Sequence, residues 1–345
     1  MKLASLLTRF GEIRIGAALE HRERIVLVDL KRAYTAYLSV VEGETRAVAL
    51  SDARISQDMR LFLEGGERSM AAARQALRYT AERLERAGEE QSLQDTGFLH
   101  DEKVVKFLPP VPRPGKVISV GANYRKHLEE FNDKTGGKAF SNIAAQLGKA
   151  NYPPAFSILP STLVGHDADV IYPSYTKQFD YEAELAFVIG KRCKNVPPEN
   201  YLDVVAGFTI FNDLSMRDLQ AEEMKRGLLL MGKNLDTTNS VGPYLVTKDE
   251  IPDPMSLQIS CWVNGDRRQH ASTSDMVFNI AQIVSYYSRM TLEPGDMFTT
   301  GSPSGVGITS ATPELHLLKP GDVVEVGIER LGRLKNKIVP EAIAR

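Results

Sequence analysis

The chain has 345 residues, a formal net charge of −2, and hydrophobic and charged fractions of 43% and 25%. These values are typical of a folded protein with a sizeable core, and they exclude the strongly basic surface of a nucleic-acid-binding protein. No apolar run approaches the length of a membrane span, and Met1–Phe10 carries charge too early for a secretory signal. The two cysteines predict no disulfide framework, so we expect a cytoplasmic protein without nucleic-acid or membrane partners.

Residues 1–105 are predicted to form a small α/β domain. The segments Ile13–Ala18 and Arg24–Asp29 have the composition of paired strands, and Met59–Ala87 has apolar residues at helical spacing. This part of the sequence contains no cluster of catalytic residue types. A role in packing or oligomerisation is therefore expected for it.

The proline-rich stretch of residues 106–114 cannot continue a helix or a central strand, and it is predicted to be a linker. A second domain, residues 115–345, then begins with the short apolar strand Lys116–Val120. His127 and Glu130 follow three residues apart, so they would share one face of a helical turn. A glutamate beside a histidine raises the basicity of the imidazole and orients it, as a general base requires. An exposed histidine on a surface helix is the alternative.

Residues 131–154 contain several glycines and prolines and show little periodicity. A long irregular stretch directly after a candidate base would suit a lid over an active site. A plain surface insertion is an equal alternative.

The segment Asp180–Gly190 is predicted to be a β-strand in which acids alternate with small or apolar residues. Glu182 and Glu184 would project from the same face. Two neighbouring carboxylates at the mouth of a buried strand need a cation, a shared proton or plentiful water, and a hard divalent cation would give them a chemistry. A second buried strand, Val204–Asp213, ends in an acid. Asp213 would supply a third oxygen ligand or would cap the next helix.

Two cationic residues follow these strands. Ser215 is predicted to cap the next helix, with Asp218 as its capping-box partner. Arg217, in the first turn, would direct a positive charge toward the same end of the sheet or form a salt bridge with Asp213 or Asp218. Lys233 lies in an apolar, glycine-flanked segment, where a partly desolvated ammonium group needs an acid, a metal-bound anion or a substrate oxygen.

Three further elements complete the chain. The Asn264–Gly265 pair predicts a hairpin turn, and Thr273–Met290 is predicted to be an amphipathic helix capped by a serine or threonine at its start. The glycine-rich loop Gly301–Gly307 lacks the spacing of a dinucleotide or phosphate fingerprint. It nevertheless offers backbone N–H groups and the Ser302 hydroxyl to an anion.

Taken in order, five motifs resemble those of the fumarylacetoacetate hydrolase family over roughly residues 115–339. Each motif is modest alone, and their shared order makes the resemblance specific. Residues 1–105 are similar only to the variable amino-terminal domain that many members carry. The motifs are Gly121–Glu130, Asp180–Glu184, Asn212–Asp218, Gly232–Lys233 with Asp236–Thr237, and Thr300–Gly307.

The resemblance implies an α+β fold that is mainly β, a mixed β-sandwich or roll with helices on its flanks, in a homodimer. It also implies that Glu182, Glu184 and Asp213 hold Mg²⁺, or else Mn²⁺ or Ca²⁺. The other site residues that it implies are His127 and Glu130 as a water-activating dyad, Lys233 near the metal, Arg217 near the substrate end of the sheet, Asn123 and Tyr124 in the first motif, and Thr300, Gly301 and Ser302 in a loop that holds a substrate carboxylate.

The sequence departs from the family pattern at two places. Members commonly have a lysine in the strand where this chain has Ile158, which removes one contact to an anion. The stretch of residues 131–154 is also longer than the usual connector. Both departures indicate a substrate that differs from the usual small acylpyruvates or is bulkier.

The implied chemistry is cleavage of a carbon–carbon bond in a dioxo acid, such as an acylpyruvate or fumarylpyruvate, by a hydrolase of aromatic catabolism. The metal would stabilise an enolate, His127 and Glu130 would activate water, and Lys233 would stabilise the developing negative charge. The same site also suits decarboxylation of an oxaloacetate-type 2-oxo acid, enol–keto isomerisation or hydration, and these reactions stay alternatives. A non-enzymatic metal- or ligand-binding protein is the alternative from another class, and the complete set of site residues argues against it.

Overall fold

The computed structural model describes residues 1–8, 10–86, 97–134 and 151–342. Strands outnumber helices in these ranges, which confirms the predicted α+β, mainly β class. The strands are β1 (Lys2–Leu7), β2 (Ile13–His21), β3 (Arg24–Asp29), β4 (Leu99–Asp101), β5 (Lys106–Phe107), β6 (Val117–Val120), β7 (Ala155–Ile158), β8 (Leu163–Val164), β9 (Asp169–Tyr172), β10 (Phe179–Asp180), β11 (Ala183–Ile189), β12 (Val205–Asp213), β13 (Ser215–Met216), β14 (Asn239–Thr247), β15 (Gln258–Val263), β16 (Asp266–Ser272), β17 (Met297–Thr299), β18 (Val323–Ile328) and β19 (Gly332–Pro340).

The strands form two large sheets and one small pair. The larger sheet has the order β4-β3-β2-β1-β14-β12-β11-β17-β6-β7, with β5 beside β1 and β8 beside β14. The second sheet has five strands in the order β16-β15-β18-β19-β9, and β10 pairs with β13. The turn that joins β15 to β16 contains Asn264 and Gly265 with φ values of +51° and +87°, so the predicted hairpin is confirmed.

Strands from residues 1–105 extend the larger sheet and do not form a separate one. β1 pairs with β14, with Lys2 opposite Val246 and Leu3 opposite Leu245. β5 lies within the predicted linker and also pairs with β1. Leu6 is opposite Phe107, and Leu7 is opposite Lys106. The larger sheet thus contains strands from both sides of the predicted division between residues 1–105 and 115–345. The division into two domains stays a prediction.

Strands β11 and β12 lie near the middle of the larger sheet and are buried along their whole length. Their apolar side chains alternate between two cores. Phe187 and Phe208, which are opposite each other in the register, pack into one core, and Val188 and Phe211 pack into the other. Each large apolar side chain contributes about 1.5–3 kcal/mol when it is removed from water. This well-packed centre fixes the positions of the polar side chains at the strand ends.

The helices cover the flanks of the sheets, and none of them in the described ranges is long and apolar enough to cross a membrane. The helix predicted over Met59–Ala87 is divided at Gly65, because Gly66 has a φ of +57° and cannot continue a right-handed helix from the residue before it. The helices are α1 (Leu30–Val40), α2 (Ala47–Arg54), α3 (Met59–Glu64), α4 (Gly66–Arg86), α5 (Arg125–Lys134), α6 (Tyr201–Val204), α7 (Arg217–Met224), α8 (Ile280–Tyr287) and α9 (Pro313–His316).

The prediction of one amphipathic helix over Thr273–Met290 is wrong for its first half. Thr273–Asp275 form a short 3₁₀ turn, and α8 begins only at Ile280. Asn279 and Gln282 form a reciprocal capping box, which gives the helix a later start. Met276, directly after the 3₁₀ turn, has an extended backbone and forms an isolated β-bridge with Tyr124.

Candidate metal centre

Three buried carboxylates meet where β11 begins and β12 ends. In the antiparallel register of these strands Ala183 lies opposite Asn212, and the Asp213 amide donates to the Glu182 carbonyl at 3.0 Å. Glu182, Glu184 and Asp213 each place one carboxylate oxygen within 4.8 Å of the others. Their exposed fractions are 6%, 2% and 1%, so the three charges lie close together out of water. The structure therefore brings together the carboxylates that were predicted to hold a metal.

Glu182 does not belong to one continuous strand Asp180–Gly190, as had been predicted. β10 ends at Asp180 and β11 begins at Ala183. In the gap, the Glu182 amide donates to the Asn212 side chain and the Ala183 amide donates to the Gln269 side chain, both at 3.0 Å. Side chains thus serve as the acceptors for these two amides, while the Glu182 carbonyl still accepts the Asp213 amide of β12.

Lys233 is the cation nearest to two of these carboxylates. Its ammonium group donates to Glu182 Oε2 at 2.6 Å and to Asp213 Oδ2 at 2.7 Å, and the side chain is 2% exposed. The ring of Phe156 on β7 lies 5.5 Å from the same nitrogen. Of the three kinds of partner that were open for a desolvated Lys233, namely an acid, a metal-bound anion or a substrate oxygen, the structure shows the first, with two carboxylates.

Arg217 is the second buried cation. Its guanidinium group contacts Asp180 at 2.8 Å and Glu182 at 2.7 Å, so it lies against the carboxylate cluster. The Asp180 carboxylate also accepts the backbone amides of Gly307 and Ile308. Asp180, which sequence analysis did not single out, thus ties Arg217 to the glycine-rich loop. The only signal for it was its place as the first residue of the motif Asp180–Glu184.

The helix that begins at Arg217 is not capped as predicted. The Ser215 hydroxyl donates to the Asp213 carbonyl at 2.9 Å, and no side chain caps α7. The Asp218 carboxylate instead accepts from the Thr176 hydroxyl and from the Lys177 amide. The capping-box prediction is therefore wrong, because both side chains have other partners that lie outside the helix.

The loop that carries Lys233 is fixed by a residue that sequence analysis missed. Glu223, on α7, accepts the backbone amides of Leu230, Met231 and Gly232 at 2.8–3.0 Å. These three bonds lower the pKa of Glu223 although burial acts in the opposite direction. A Cβ atom at Gly232 would lie 2.7 Å from the backbone of Gln220, so no other residue fits there without a shift. Nothing in the local sequence indicates this contact, because it joins a helix face to a later loop.

The charges in this cluster are not balanced. Four buried carboxylates (Asp180, Glu182, Glu184 and Asp213) are accompanied by two buried cations (Arg217 and Lys233), which leaves a formal charge of −2. Burial raises the pKa of Asp213 to about 6, and burial together with Asp213 and Glu182 raises the pKa of Glu184 well above its usual value. Burial would also raise the pKa of Glu182, but Arg217 and Lys233 lower it to about 2.

These features fit a divalent cation. Carboxylate oxygens are the ligands that hard dications prefer, and a dication would neutralise the excess charge. Asp213 Oδ1 is buried and has no hydrogen-bond partner among the described residues. This oxygen atom is therefore available to coordinate a metal ion. The chemistry of the donor set does not distinguish Mg²⁺ from Mn²⁺ or Ca²⁺.

His127 and Glu130 lie on α5, as predicted, at the edge of this cluster. His127 is 8% exposed, and burial lowers its pKa to about 4, against the opposing effect of Glu182. The raised basicity that we expected from Glu130 is not found: burial, Arg217 and Lys233 lower the pKa of His127, among the described residues only Glu182 raises it, and the imidazole is neutral near pH 7. Glu130 Oε2 accepts the Gly305 amide at 3.0 Å, which connects α5 to the glycine-rich loop. Their role as a dyad stays a prediction.

Asn123 and Tyr124 support the site from within the fold. The Asn123 amide donates to the Thr300 carbonyl at 2.9 Å and its oxygen accepts the Phe278 amide at 2.7 Å, so this side chain holds the loop in place. Tyr124 is 1% exposed, and its hydroxyl has no hydrogen-bond partner within the described ranges. Burial, together with Glu184 and Asp275, raises the pKa of the Tyr124 hydroxyl.

The loop Thr300–Ser302 lies directly against the carboxylates. The Thr300 hydroxyl donates to the Leu185 carbonyl, and the Gly301 amide donates to Glu184 Oε2, both at 2.9 Å. Gly301 has a φ of +83°, and a Cβ atom there would lie 3.0 Å from Asn123 Cβ and from the Val120 carbonyl. Only glycine suits this close approach. Ser302 is 4% exposed and directly follows Gly301, whose amide contacts Glu184.

The two departures from the family pattern are placed as follows. Ile158 is 2% exposed and packs with Val117 in an apolar core, so it contributes packing and no polar contact to the site. Residues 135–150, which make up most of the predicted lid, lie outside the described residues.

The fold and site geometry agree with a comparison to known families. The sequence model described as fumarylacetoacetate (FAA) hydrolase C-terminal matches residues 116–339. This match covers well over half of the chain, so the chain belongs to the fumarylacetoacetate hydrolase family, as its motifs had indicated. The fold expected from the resemblance is confirmed as well.

Three relatives illustrate the range of this family. A mitochondrial oxaloacetate tautomerase from Rattus norvegicus is 38% identical over 289 residues, which cover 84% of this chain and 82% of the relative. An oxaloacetate tautomerase from Bacillus subtilis is 36% identical over 277 residues, which cover 79% and 83%. The structure of a maleylpyruvate hydrolase from Sphingobium sp. SYK-6, in complex with manganese(II) ion and pyruvate, matches with a TM-score of 0.67 at 26% identity and covers 99% of this chain and all of that one. These relatives are enzymes with small-molecule substrates, and they support an enzymatic role for this chain.

Proposed function

We propose that the chain is a divalent-metal-dependent enzyme that interconverts the enol and keto forms of a 2-oxo dicarboxylic acid of the oxaloacetate class. The observation that carries this proposal is the similarity to oxaloacetate tautomerases of an animal and of a bacterium over about four-fifths of the chain. The geometry suits it, because tautomerisation requires only a charge-stabilising centre and a group that accepts and returns one proton. The carboxylates at the start of β11 would hold the first, and His127 on α5 would supply the second.

Each residue of the cluster has a part in this chemistry. Glu182, Glu184 and Asp213 would hold the dication, and a bound dication would supply Lewis acidity that makes the C–H bond beside the oxo group more acidic. His127 is neutral near pH 7, so it can accept the proton from carbon or from the enol oxygen and return it to the other position. Lys233 keeps Glu182 and Asp213 ionised and fixes their orientation.

Hydrolysis of a carbon–carbon bond in a dioxo acid is the second candidate. The maleylpyruvate hydrolase that shares this fold supports it, as does the position of Glu130 on the same helix as His127. In that reaction the two side chains would orient and deprotonate a water molecule. Decarboxylation of the same class of oxo acid is a further alternative, and it does not require an activated water molecule. Mg²⁺ as the metal, a role in aromatic catabolism, a homodimer and a cytoplasmic location belong to the proposal as well.

The test follows the two tautomers separately. Enol-oxaloacetate is added to the protein with Mg²⁺, with Mn²⁺ or with EDTA, and the loss of enol absorbance is measured. Malate dehydrogenase and NADH in a parallel assay report the appearance of the keto form. We expect metal-dependent conversion well above the rate with metal alone, without release of CO₂, and a loss of roughly 10²–10⁴-fold in His127→Asn.

Three outcomes would overturn the tautomerase proposal. Release of pyruvate and CO₂ from oxaloacetate without faster tautomerisation would establish a decarboxylase. Release of pyruvate and a carboxylic acid from acylpyruvates, again without tautomerisation, would establish the hydrolase. Binding of metal without turnover of any of these substrates would favour a non-enzymatic protein.

A further inference from the structure

The side chain of Gln269, on β16, joins the metal-binding strand to the substrate loop. It is 1% exposed, and its oxygen accepts the Ala183 amide at 3.0 Å, between Glu182 and Glu184. Its nitrogen donates to the Ser302 hydroxyl oxygen at 2.9 Å and to the Pro303 carbonyl at 2.8 Å. One side chain thus contacts both halves of the site, although it comes from the other sheet.

The two backbone contacts determine which way the amide of Gln269 faces. The Ala183 amide can only donate, so it requires the oxygen of Gln269. The Pro303 carbonyl can only accept, so it requires the nitrogen. If the side-chain amide were rotated by half a turn, its nitrogen would face the Ala183 amide, and both groups are donors. Its oxygen would then face the Pro303 carbonyl, and both groups are acceptors. The nitrogen must therefore face the Ser302 hydroxyl as a donor.

This orientation decides the polarity of Ser302. A serine hydroxyl has one proton to donate. Because its oxygen accepts from Gln269, that proton is directed elsewhere. The nearest acceptor, the Pro303 carbonyl, is 3.5 Å away and already accepts from Gln269 at 2.8 Å. A hydrogen bond at 3.5 Å is at the limit of what counts as one, so the proton of Ser302 has no good acceptor within the described residues.

The backbone of the glycine-rich loop packs closely against β16 beside Gln269. A Cβ atom at Gly305 would lie 2.3 Å from the Arg268 carbonyl and 3.4 Å from Gln269 Cα. The loop is therefore in direct contact with β16. On its other side, the Gly301 amide donates to Glu184. Ser302 thus lies between two anchored points, the Gly301 amide on Glu184 and the side chain of Gln269.

We infer that Gln269 is a positioning residue for the loop that is expected to hold a substrate carboxylate: it makes the Ser302 hydroxyl a hydrogen-bond donor, which suits a ligand group that only accepts. This inference deepens the proposed function and rests on it for the class of substrate. An acid with a carboxylate at each end can be held at the metal and at Ser302 at the same time. A neutral amide or hydroxyl at the second position would be held less well.

The test measures binding without turnover. Oxalate and malonate, two inert dicarboxylates of different length, are titrated into the Mg²⁺-loaded protein by calorimetry. The variants are Gln269→Met, Ser302→Ala and the double variant. In Gln269→Met the Ser302 proton is free to turn toward the vacated Pro303 carbonyl. We expect each single variant to weaken binding of the better dicarboxylate roughly tenfold or more, as for loss of a hydrogen bond to a charged group.

The double variant separates a positioning role from a structural one. If Gln269 acts through Ser302, Gln269→Met weakens binding in the wild-type background and changes it less than about twofold in the Ser302→Ala background. Gln269→Glu keeps an oxygen that accepts the Ala183 amide and loses the hydrogen bonds donated to Ser302 and Pro303. It takes the place of Gln269→Met if the methionine variant does not fold. Asn336→Leu is the matched control, because Asn336 is 2% exposed and donates to two backbone carbonyls away from the site. It should lower the melting temperature and leave dicarboxylate binding unchanged.

Three results would overturn the inference. They are wild-type affinity in Gln269→Met, equal weakening in both backgrounds, and failure of the wild-type protein to bind either dicarboxylate. A wild-type protein that binds dicarboxylates through Gln269 and Ser302 but does not tautomerise enol-oxaloacetate would refute the proposed function and leave this inference intact.

Discussion

Glu184 has the least compensated charge in the metal centre. It is 2% exposed, it accepts the Gly301 amide, and within the described part of the chain it has no ion pair. Burial and the neighbouring Asp213 and Glu182 raise its pKa well above the ordinary value, so its charge is costly until a cation is present. Its contribution to stability should therefore change sign with metal.

We predict that Glu184→Gln is as stable as the wild type or more stable in EDTA, because it removes one of several crowded charges. With metal at about 100 times its dissociation constant the wild type should gain about 2.7 kcal/mol, and the variant should gain much less. Urea unfolding with EDTA and with increasing Mg²⁺ measures both effects. Glu222→Gln, at an exposed residue outside the site, is the control. A variant that keeps the full gain from Mg²⁺ would remove Glu184 from the ligand set.

For individual residues, the sequence predicted the three clustered carboxylates better than the contacts of the two cations beside them. Glu182, Glu184 and Asp213 stand next to strand ends, where spacing along one or two strands is enough to bring them together. The contacts of Lys233 and Arg217 depend on a loop and a helix start, whose positions no local pattern fixes. The lowered pKa of His127 follows from burial, which no residue pair in the sequence reveals.

Among the elements, α7 and the following loop act as one unit. Glu223 on the helix accepts three consecutive amides of the loop, from Leu230 to Gly232, and the next residue is Lys233. Gly232 lies against the backbone of Gln220 on the same helix. The ammonium group of Lys233 is therefore positioned by contacts that lie outside the carboxylate cluster.

We predict that Glu223→Ala lowers the free energy of unfolding by about 1–3 kcal/mol, because three backbone donors lose a charged acceptor. It should also lower turnover, since Lys233 is no longer held between Glu182 and Asp213. Thermal unfolding and the tautomerase assay measure the two effects. Glu222→Ala is a matched control on the same helix, because Glu222 is exposed and its ion pairs within the described residues are with exposed Lys225 and Arg226. Equal behaviour of the two variants would refute the role of Glu223.

Elements with strong local signals were predicted, and elements decided by distant contacts were not. The Asn264–Gly265 turn and strands β11 and β12 follow from turn chemistry and apolar composition. The helix over Thr273–Met290 does not form as predicted, because Met276 pairs with Tyr124 and Asn279 supplies a later cap. The periodicity of apolar residues alone could not show that part of it belongs to an extended segment.

For the whole molecule, the larger sheet makes residues 1–105 part of one structure with the metal centre. β1 lies between β2 and β14, and β14 in turn neighbours β12, which ends at Asp213. Leu3 and Ile15 share an apolar core with Val241 and Leu245. The sequence indicated a boundary from proline content, but strand pairing across it depends on partners more than a hundred residues away.

We predict that a chain of residues 106–345 does not fold on its own. Removing β1 would leave β14 as an exposed sheet edge and would open the core that contains Val241 and Leu245 to water. We expect aggregation on expression and no cooperative thermal transition, whereas the full chain should show one. Co-expression of residues 1–105 as a separate chain is the control, because it restores the edge partner without the covalent link. A soluble, metal-binding fragment of residues 106–345 with its own transition would instead establish that the boundary near residue 105 separates two independent domains.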